Sequence, residues 1–312
     1  LRRAALTGAT GFLGLHLLPA LLQADFQVRI LARGEPPSGP WDGLPFETVQ
    51  GGLEDADALA ELVRGADLVV HAAGLIKARK PADFFTVNRD GTAALAQATR
   101  RAAPQAHFLF VSSLAARQPQ LSDYAASKRQ AEAAAQAAFA NAPDQLAIIR
   151  PPAIYGPWDK ETLTLFRATQ GRFAPVAGHG RTAVVHVRDA AGAIAALAQN
   201  WRPGLFALAD AHAEGYAMRE LLLTIARATG GKPYLVALPD ALVLAAGHIA
   251  GVWKQLSGTV HIFGPGKARE MLFPDWTVSP AELLPTEIFT PRFGLAEGVA
   301  DTVAWYRQAG WL

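Results

Sequence analysis

The stretch LTGATGFLG, Leu6 to Gly14, constrains the fold more than any other. Gly8, Gly11 and Gly14 recur every three residues, directly after the apolar run Arg3–Thr7 and directly before a run with helical spacing, Leu13–Leu22. A glycine turn between a strand and a helix is the opening of a βαβ unit. The first glycine permits the tight turn, the second lets backbone N–H groups approach a pyrophosphate, and the third lets the helix pack close to the sheet. The helix N-terminus then offers unpaired N–H donors and a partial positive charge to phosphates. The residues expected around that cradle are Gly8, Thr10, Gly11, Phe12, Leu13 and Gly14. Read blandly, the same glycines form a turn required for packing alone.

The rest of the first half keeps the rhythm. Strand-like runs at Phe26–Leu31, Phe46–Gln50, Leu68–Ala72, Phe108–Ser112 and Leu146–Arg150 alternate with helical patterns at Ala56–Val63, Phe84–Ala102 and Tyr124–Ala140. Continuous apolar strands separated by amphipathic helices predict an α/β fold, a doubly wound parallel Rossmann sheet covered on both faces. After Arg150 the pattern breaks at Pro151, Pro152, Gly156 and Pro157. The remainder of the chain reads as a smaller, interleaved α/β substrate lobe. Val184–Gln199 looks like a strand and a helix returning to the main domain. The expected division is 1–150 plus about 184–209 for the dinucleotide-binding domain, and about 151–183 plus 210–312 for the lobe.

The second strand ends in VRILARGE. An acid at its end would hold the adenosine ribose hydroxyls of NAD. Ala32 stands there instead, Arg33 follows, and Glu35 lies beyond the strand end. A guanidinium at this place suits a 2′-phosphate. NADP(H) is therefore favoured and NAD(H) remains possible; the bland reading of Arg33 is a solvated loop charge.

Composition narrows the partners. The 312 residues carry a formal net charge of only +2, with no block of Lys and Arg, so no nucleic-acid footprint is expected. Cysteine is absent, which excludes disulfides, thiolate ligands and a cysteine nucleophile, and no metal site is expected. A cytoplasmic location is the expectation, since the first strand leaves no room for a signal peptide. The apolar run Leu238–Trp253, interrupted by Gly247, His248 and Gly251, is too short to span a bilayer. A buried or oligomer-interface helix is expected there, with membrane-surface contact as the alternative.

Two stretches carry chemistry. FVSSLAAR, Phe110–Arg117, ends the fifth strand, and YAASK, Tyr124–Lys128, opens the next helix. The YxxxK spacing puts a phenol and an ammonium one helical turn apart on one face. The ammonium favours the ionised phenol, which makes Tyr124 a usable acid for ketone reduction or base for alcohol oxidation. Ser113 would hydrogen-bond the substrate oxygen. YxxxK arises often by chance on surface helices, and its weight comes from order. The glycine turn is followed by HAAG at His71–Gly74, then Asn88, Ser112-Ser113, YxxxK and RPPAIYGP.

With these motifs in that order the chain resembles the extended short-chain dehydrogenase/reductase family, also called the NAD-dependent epimerase/dehydratase family, over essentially its whole length. The resemblance implies a Ser113–Tyr124–Lys128 triad and makes Asn88 the asparagine that supports the active-site helix and a proton-relay water. It implies that Ala72, Ala73 and Gly74 pass the cofactor ribose, with Ser112 close by. It sets Pro151 and Ile154 beside the nicotinamide carboxamide and Arg33 on the phosphate, as in NADP-using members similar to dihydroflavonol reductase. A homodimer through Phe84–Ala102 and Tyr124–Ala140 is also implied. One departure is Gly51-Gly52-Leu53 where the family often has Gly-Asp-Leu, so adenine contact would rest on the backbone around Leu53.

Within the family, sugar-nucleotide enzymes usually carry an asparagine where this chain has Ala153, and an Arg-Asp pair where it has Thr182 and Ala183, with Arg181 displaced by one. On a strand that displacement turns the side chain to the other face. The residues expected to line the substrate site are Leu75, Ile76, Ser113, Tyr155, Trp158, Leu163 and Phe166, and their apolar character points to a small carbonyl or alcohol substrate. Lys77, Arg79 and Lys80 keep a diphosphate in view. His71 and His186 read as satisfied core histidines. His179 and His212 have no partner at metal spacing, and Asp189 is expected to cap the helix after it. Three readings stand: an NAD(P)-dependent oxidoreductase with Tyr124 as general acid/base, a nucleotide-sugar epimerase or dehydratase with bound NAD, and a non-catalytic NAD(P)-binding sensor or assembly subunit.

Overall fold

The computed structural model describes residues 1–36, 39–257 and 262–312, except the side chains of 254–256. Along the chain run β1 (Arg2–Thr7), α1 (Phe12–Gln23), β2 (Phe26–Ala32), β3 (Phe46–Gln50), α2 (Ala56–Val63), β4 (Leu68–His71), α3 (Pro81–Phe84), α4 (Gly91–Ala102), β5 (His107–Val111), α5 (Asp123–Ala138) and β6 (Leu146–Arg150). Then come β7 (Ala153–Tyr155), α6 (Leu163–Ala168), β8 (Phe173–Ala177), β9 (Arg181–Thr182), β10 (Val184–His186), α7 (Val187–Gln199), β11 (Gly204–Ala207), β12 (Tyr216–Ala217) and α8 (Met218–Thr229). The chain ends with β13 (Tyr234–Leu238), α9 (Asp240–Ser257), α10 (Pro265–Leu272), β14 (Asp275–Trp276) and α11 (Leu295–Gln308).

Two compact units result. The first comprises Leu1–Arg150, Ala191–Phe206 and Leu284–Thr290, and the second Pro151–Ala190, Ala207–Leu283 and Pro291–Leu312. The first is organised by a seven-stranded sheet in the order β11-β6-β5-β4-β1-β2-β3. The pairings β1–β2, β1–β4, β2–β3, β4–β5 and β5–β6 are all parallel. Side chains alternate between faces, and one set joins helices α2, α4 and α5 in a single core: Val69, Phe108, Phe110 and Ile148 meet Leu59, Leu62, Leu95, Ala131 and Ala135. The opposite face receives α1, whose Leu17, Leu18 and Leu21 are buried. The sheet has one strand more than the six that the runs suggested: β11 is only four residues, too short for a periodic signal.

The expected helix Phe84–Ala102 begins earlier, at Pro81, and is interrupted by a π-helical turn over Phe85–Asp90. Such a turn carries an extra residue and often marks a functional site; here it carries the buried Asn88. α5 starts one residue before Tyr124 because Ser122 caps it, accepting from the Ala125 N–H at 3.0 Å, with Asp123 complementing the helix dipole.

The second unit is built from short pieces. β7 pairs with β10, β8 with β13, and β9 with β12 and β14. Its core gathers Tyr155, Leu163, Phe166, Val184, Tyr216, Leu221, Val299 and Tyr306. Two expectations are corrected in this unit. Asp189 does not cap α7, which already begins at Val187. Its buried carboxylate accepts from the N–H groups of Arg292 and Phe293, both at 2.9 Å, and so ties the chain before α11. The run at Leu238–Trp253 is not buried either. Among the described side chains of α9 only Val243 and Gly247 are buried, while Leu242, Ile249, Val252 and Trp253 are well exposed. No helix among the described residues is long and apolar enough to cross a membrane.

Candidate active site

The order of the sheet reverses between β1 and β4, and ligands of open α/β sheets bind outside the strand ends at such a point. The glycine turn leaves β1 there. Gly8 has φ +75°, and a Cβ on it would lie 2.5 Å from backbone atoms of Ala72 and Ala73, so the ends of the two strands can approach only because residue 8 lacks a side chain. A Cβ on Gly14 would meet the Gly8 carbonyl oxygen, which keeps α1 against its own turn. Gly11, the N-cap of α1, differs: its nearest neighbour would be the Gly8 carbonyl oxygen at 3.3 Å and the residue is exposed. No side chain caps α1 and no acid stands in its first turn, so its N–H groups face outward for an anion. The cradle fits a pyrophosphate on these grounds. We expect Gly11→Ala to leave the melting midpoint nearly unchanged but to weaken nicotinamide-dinucleotide binding at least ~10-fold, read by cofactor fluorescence titration.

Thr10 is exposed at this turn, and Phe12 and Leu13 are half-buried on α1. Arg33, one residue past β2, is exposed. Leu53 lies against Gly91, where a Cβ would come within 2.7 Å of it. Behind the switch point His71 is fully buried between the hydroxyls of Thr7 (2.7 Å) and Thr92 (2.9 Å). Burial pushes its pKa down to about 3, so it is a neutral structural link, as a core histidine should be.

The triad residues stand on two elements. Ser113 follows β5, and its Oγ accepts from the Ala115 N–H at 3.2 Å. Tyr124 sits in the first turn of α5, half-buried, with its ring edge-on to Phe84 at 6.1 Å. Lys128, one turn on, is 5% exposed; its Nζ donates to the Val111 carbonyl at 2.8 Å and lies 4.5 Å from the centre of the Phe110 ring. A Cβ on Gly74 would lie 3.0 Å from Asn88 Oδ1 and 3.8 Å from Lys128 Nζ, so the loop after β4, Asn88 and Lys128 converge. Asn88 clamps that loop: Oδ1 accepts from the Leu75 N–H (2.7 Å), and Nδ2 donates to the Leu75 carbonyl (3.1 Å) and to Ser127 Oγ (2.9 Å). The Ser127 hydroxyl in turn donates to the Tyr124 carbonyl at 2.7 Å.

Burial pushes the Lys128 ammonium down to about 7, against the partial support of Glu132. A lysine lowered on folding binds fewer protons than in the unfolded chain between its two pKa values, so stability rises with pH across that window. We expect the wild type to gain stability over Lys128→Met as pH rises from 7 to 9, by on the order of 2 kcal/mol in paired urea unfolding curves, with little change below pH 6.

Ser112 is tied to the helical turn after Lys128. Its Oγ donates to Glu132 Oε1 at 2.6 Å, inside a buried pair in which Arg150 Nε and Nη2 reach Glu132 at 2.8 and 2.6 Å. Sequence reasoning missed Ser127 and Glu132. The signal for Glu132 was present, since Tyr124, Lys128 and Glu132 are spaced by four on one helical face.

Of the residues expected to line a substrate, Leu75 is half-buried and Ile76 is 48% exposed in the first unit. In the second unit Trp158, at φ +73°, is partly exposed against Trp305, while Tyr155, Leu163 and Phe166 are packed into the core. Pro151 is buried and Ile154 half-buried in β7. Arg181 donates to the Glu214 and Gly215 carbonyls, so its guanidinium serves the fold of its own unit. His186 is buried with its ring tilted against Phe293 at 4.1 Å, His179 lies 3.7 Å from Asp240, and His212 is joined through the Tyr216 hydroxyl to Asp210.

Residues 4–208 match the model of the NAD dependent epimerase/dehydratase family. A ceramide reductase of Caulobacter vibrioides is 46% identical over 310 residues, which cover 99% of this chain and 95% of the relative. Among solved structures, a UDP-glucose 4-epimerase from Bifidobacterium longum in complex with NAD+ and UDP superposes with a TM-score of 0.75 at 17% identity, covering 99% of both chains. A dTDP-glucose 4,6-dehydratase from Streptomyces venezuelae with NAD bound does so at 0.74 and 22%, covering 99% of this chain and 98% of the other. These two likenesses are of fold. A family model that spans most of the chain, a relative similar from end to end and the glycine cradle together make this an enzyme with a nicotinamide cofactor, and the chain belongs to the NAD-dependent epimerase/dehydratase family, the extended short-chain dehydrogenases/reductases.

Proposed function

We propose that the protein reduces a ketone on a long-chain amide lipid, the oxidised counterpart of a ceramide alcohol, with NADPH as hydride donor. The observation that carries this reading is the end-to-end likeness to a ceramide reductase. The residues of the second unit support it: Ala153 and Thr182 lack the groups that would grip a nucleotide diphosphate, and Arg181 is occupied by backbone carbonyls of its own unit. When bound, the cofactor supplies the hydride to the carbonyl carbon. Tyr124 donates the phenolic proton to the carbonyl oxygen. Ser113 hydrogen-bonds that oxygen with its hydroxyl hydrogen, which its contact with the Ala115 N–H does not use. Lys128 holds positive charge one turn from the phenol, and Asn88 keeps the loop at Leu75 and the first turn of α5 in register. Arg33 would pair with the 2′-phosphate of NADPH. A homodimer through α4 and α5 belongs to the same reading.

The test is loss of reduced-nicotinamide absorbance when the protein meets NADPH and a ketone-bearing ceramide analogue in detergent. Turnover with that lipid, and none with UDP-glucose, is expected; saturable UDP-glucose binding without lipid turnover would overturn the proposal. Arg33→Ala should weaken NADPH binding by ~10–100-fold and leave NADH unchanged, which isothermal titration separates.

A further inference from the structure

α9 inverts the usual arrangement of a surface helix. Its inward face is made of small residues: a Cβ on Gly247 would meet Ala268 and the Gly264 carbonyl, and one on Gly251 would meet Pro265, so the helix lies almost backbone-to-backbone on α10. Its outward face is apolar. Leu242 (58% exposed), Leu244, Ile249 (70%), Val252 and Trp253 (63%) all face solvent. Residues 241–253 carry no formal charge. The adjoining strands continue this character. Ala177 of β8, Leu238 of β13, Val243 and Ala268 share one small core, and the exposed side of that strand pair presents Phe173, Pro175, Tyr234 and Val236. β8 and β13 are parallel, with Tyr234 opposite Phe173, which brings the exposed Arg172 and Lys232 to the same end of the pair. Neither 170–178 nor 230–239 contains an acid.

We propose that this surface docks the protein on a membrane with anionic headgroups, α9 lying in the interface with its outward side chains among the acyl chains. Exposed apolar surface of this extent marks an interaction site. A protein partner would need hydrogen bonds, about one per 100–200 Å² of interface, and over residues 241–253 the outward face of α9 offers only His248 and the Trp253 indole. Acyl chains ask for none. Trp253 and Tyr234 have the amphipathic rings that settle at headgroup level, and Arg172 and Lys232 supply cations for anionic lipids. Spanning is ruled out by length and by α10, which covers the inward face; 18 residues make only about 27 Å of helix. The inference does not rest on the reaction proposed above, because binding is read without turnover.

The experiment is co-sedimentation of the full chain with vesicles of equal parts phosphatidylglycerol and phosphatidylcholine, and of phosphatidylcholine alone. The wild type should pellet with the anionic vesicles and less with the neutral ones. Ile249→Glu/Trp253→Glu, at exposed positions outside the core, should lower the partition coefficient at least ~100-fold. Arg172→Glu/Lys232→Glu should lower it at least ~10-fold and remove the preference for phosphatidylglycerol. The proposal is overturned if the wild type stays in the supernatant with both vesicles, or if the Ile249→Glu/Trp253→Glu variant pellets like the wild type. It is equally overturned if light scattering without vesicles shows that this variant halves the wild-type mass, since a second copy would then cover the face.

Discussion

Tyr124→Phe should lose roughly a thousandfold in kcat, close to 4 kcal/mol of transition-state stabilisation, while the dissociation constant for the cofactor stays within about twofold. The substitution deletes one oxygen from a half-buried ring whose surroundings are made by other atoms. Its edge contact with Phe84 is apolar and survives, and the hydrogen bond from Ser127 goes to the backbone carbonyl of residue 124. α5 keeps its cap at Ser122, because that bond involves the Ala125 N–H. The backbone contacts that hold this turn of α5 are therefore kept, and the variant is expected to fold. A variant that folds, binds NADPH and fails to turn over identifies the phenolic proton as the missing part. If it keeps more than a tenth of wild-type activity, the proton comes from elsewhere and the role given to Tyr124 is wrong.

The largest stability effect is expected at Glu132→Ala, which should cost about 3–5 kcal/mol in urea unfolding. Glu132 is 2% exposed and accepts from Arg150 through both oxygens and from Ser112 as well. Removing it takes from a buried guanidinium the carboxylate that both of its nitrogens reach, and the penalty is the charge left buried without that counter-ion more than the lost attraction. The double variant Glu132→Leu/Arg150→Met, which replaces both charges by apolar groups, should recover most of the loss. A single-variant cost below about 1 kcal/mol would mean that water reaches Arg150. The pair joins the last residue of β6 to the helical turn after Lys128, so the single variant should also loosen the helix that carries the triad.

Much of the first unit was legible because its signals are local. Six strands announced themselves as continuous apolar runs, the glycine turn had its strand before and helix after, and YxxxK needed only helical geometry to place two side chains together. What could not be read depends on tertiary packing. β11 is four residues long and gains its identity from pairing at the sheet edge. Phe166 and Tyr155, expected to line the substrate for their apolar character, are held in a core by Tyr306 and Val299 from more than a hundred residues away. The apolar run in α9 suggested burial, yet Gly247 and Gly251, which read as interruptions, are the positions that pack, and the large side chains point outward. Ser112 is another such case: β5 ends one residue before it, at Val111, and its hydroxyl is taken up by Glu132.

The π turn at Phe85–Asp90 sets an angular phase between the two ends of the helix that runs from Pro81 to Ala102. Thr92 reaches back to the Asn88 carbonyl and on to His71, while Asn88 itself reaches the loop at Leu75 and Ser127. Each residue of an α-helix advances the azimuth by about 100°. Deleting a single residue from this stretch would regularise the helix and improve its local geometry, and it would also swing Asn88 out of line with one set of partners or the other. Length variation among natural homologues should therefore avoid this stretch, although as bare sequence it resembles any other part of a helix.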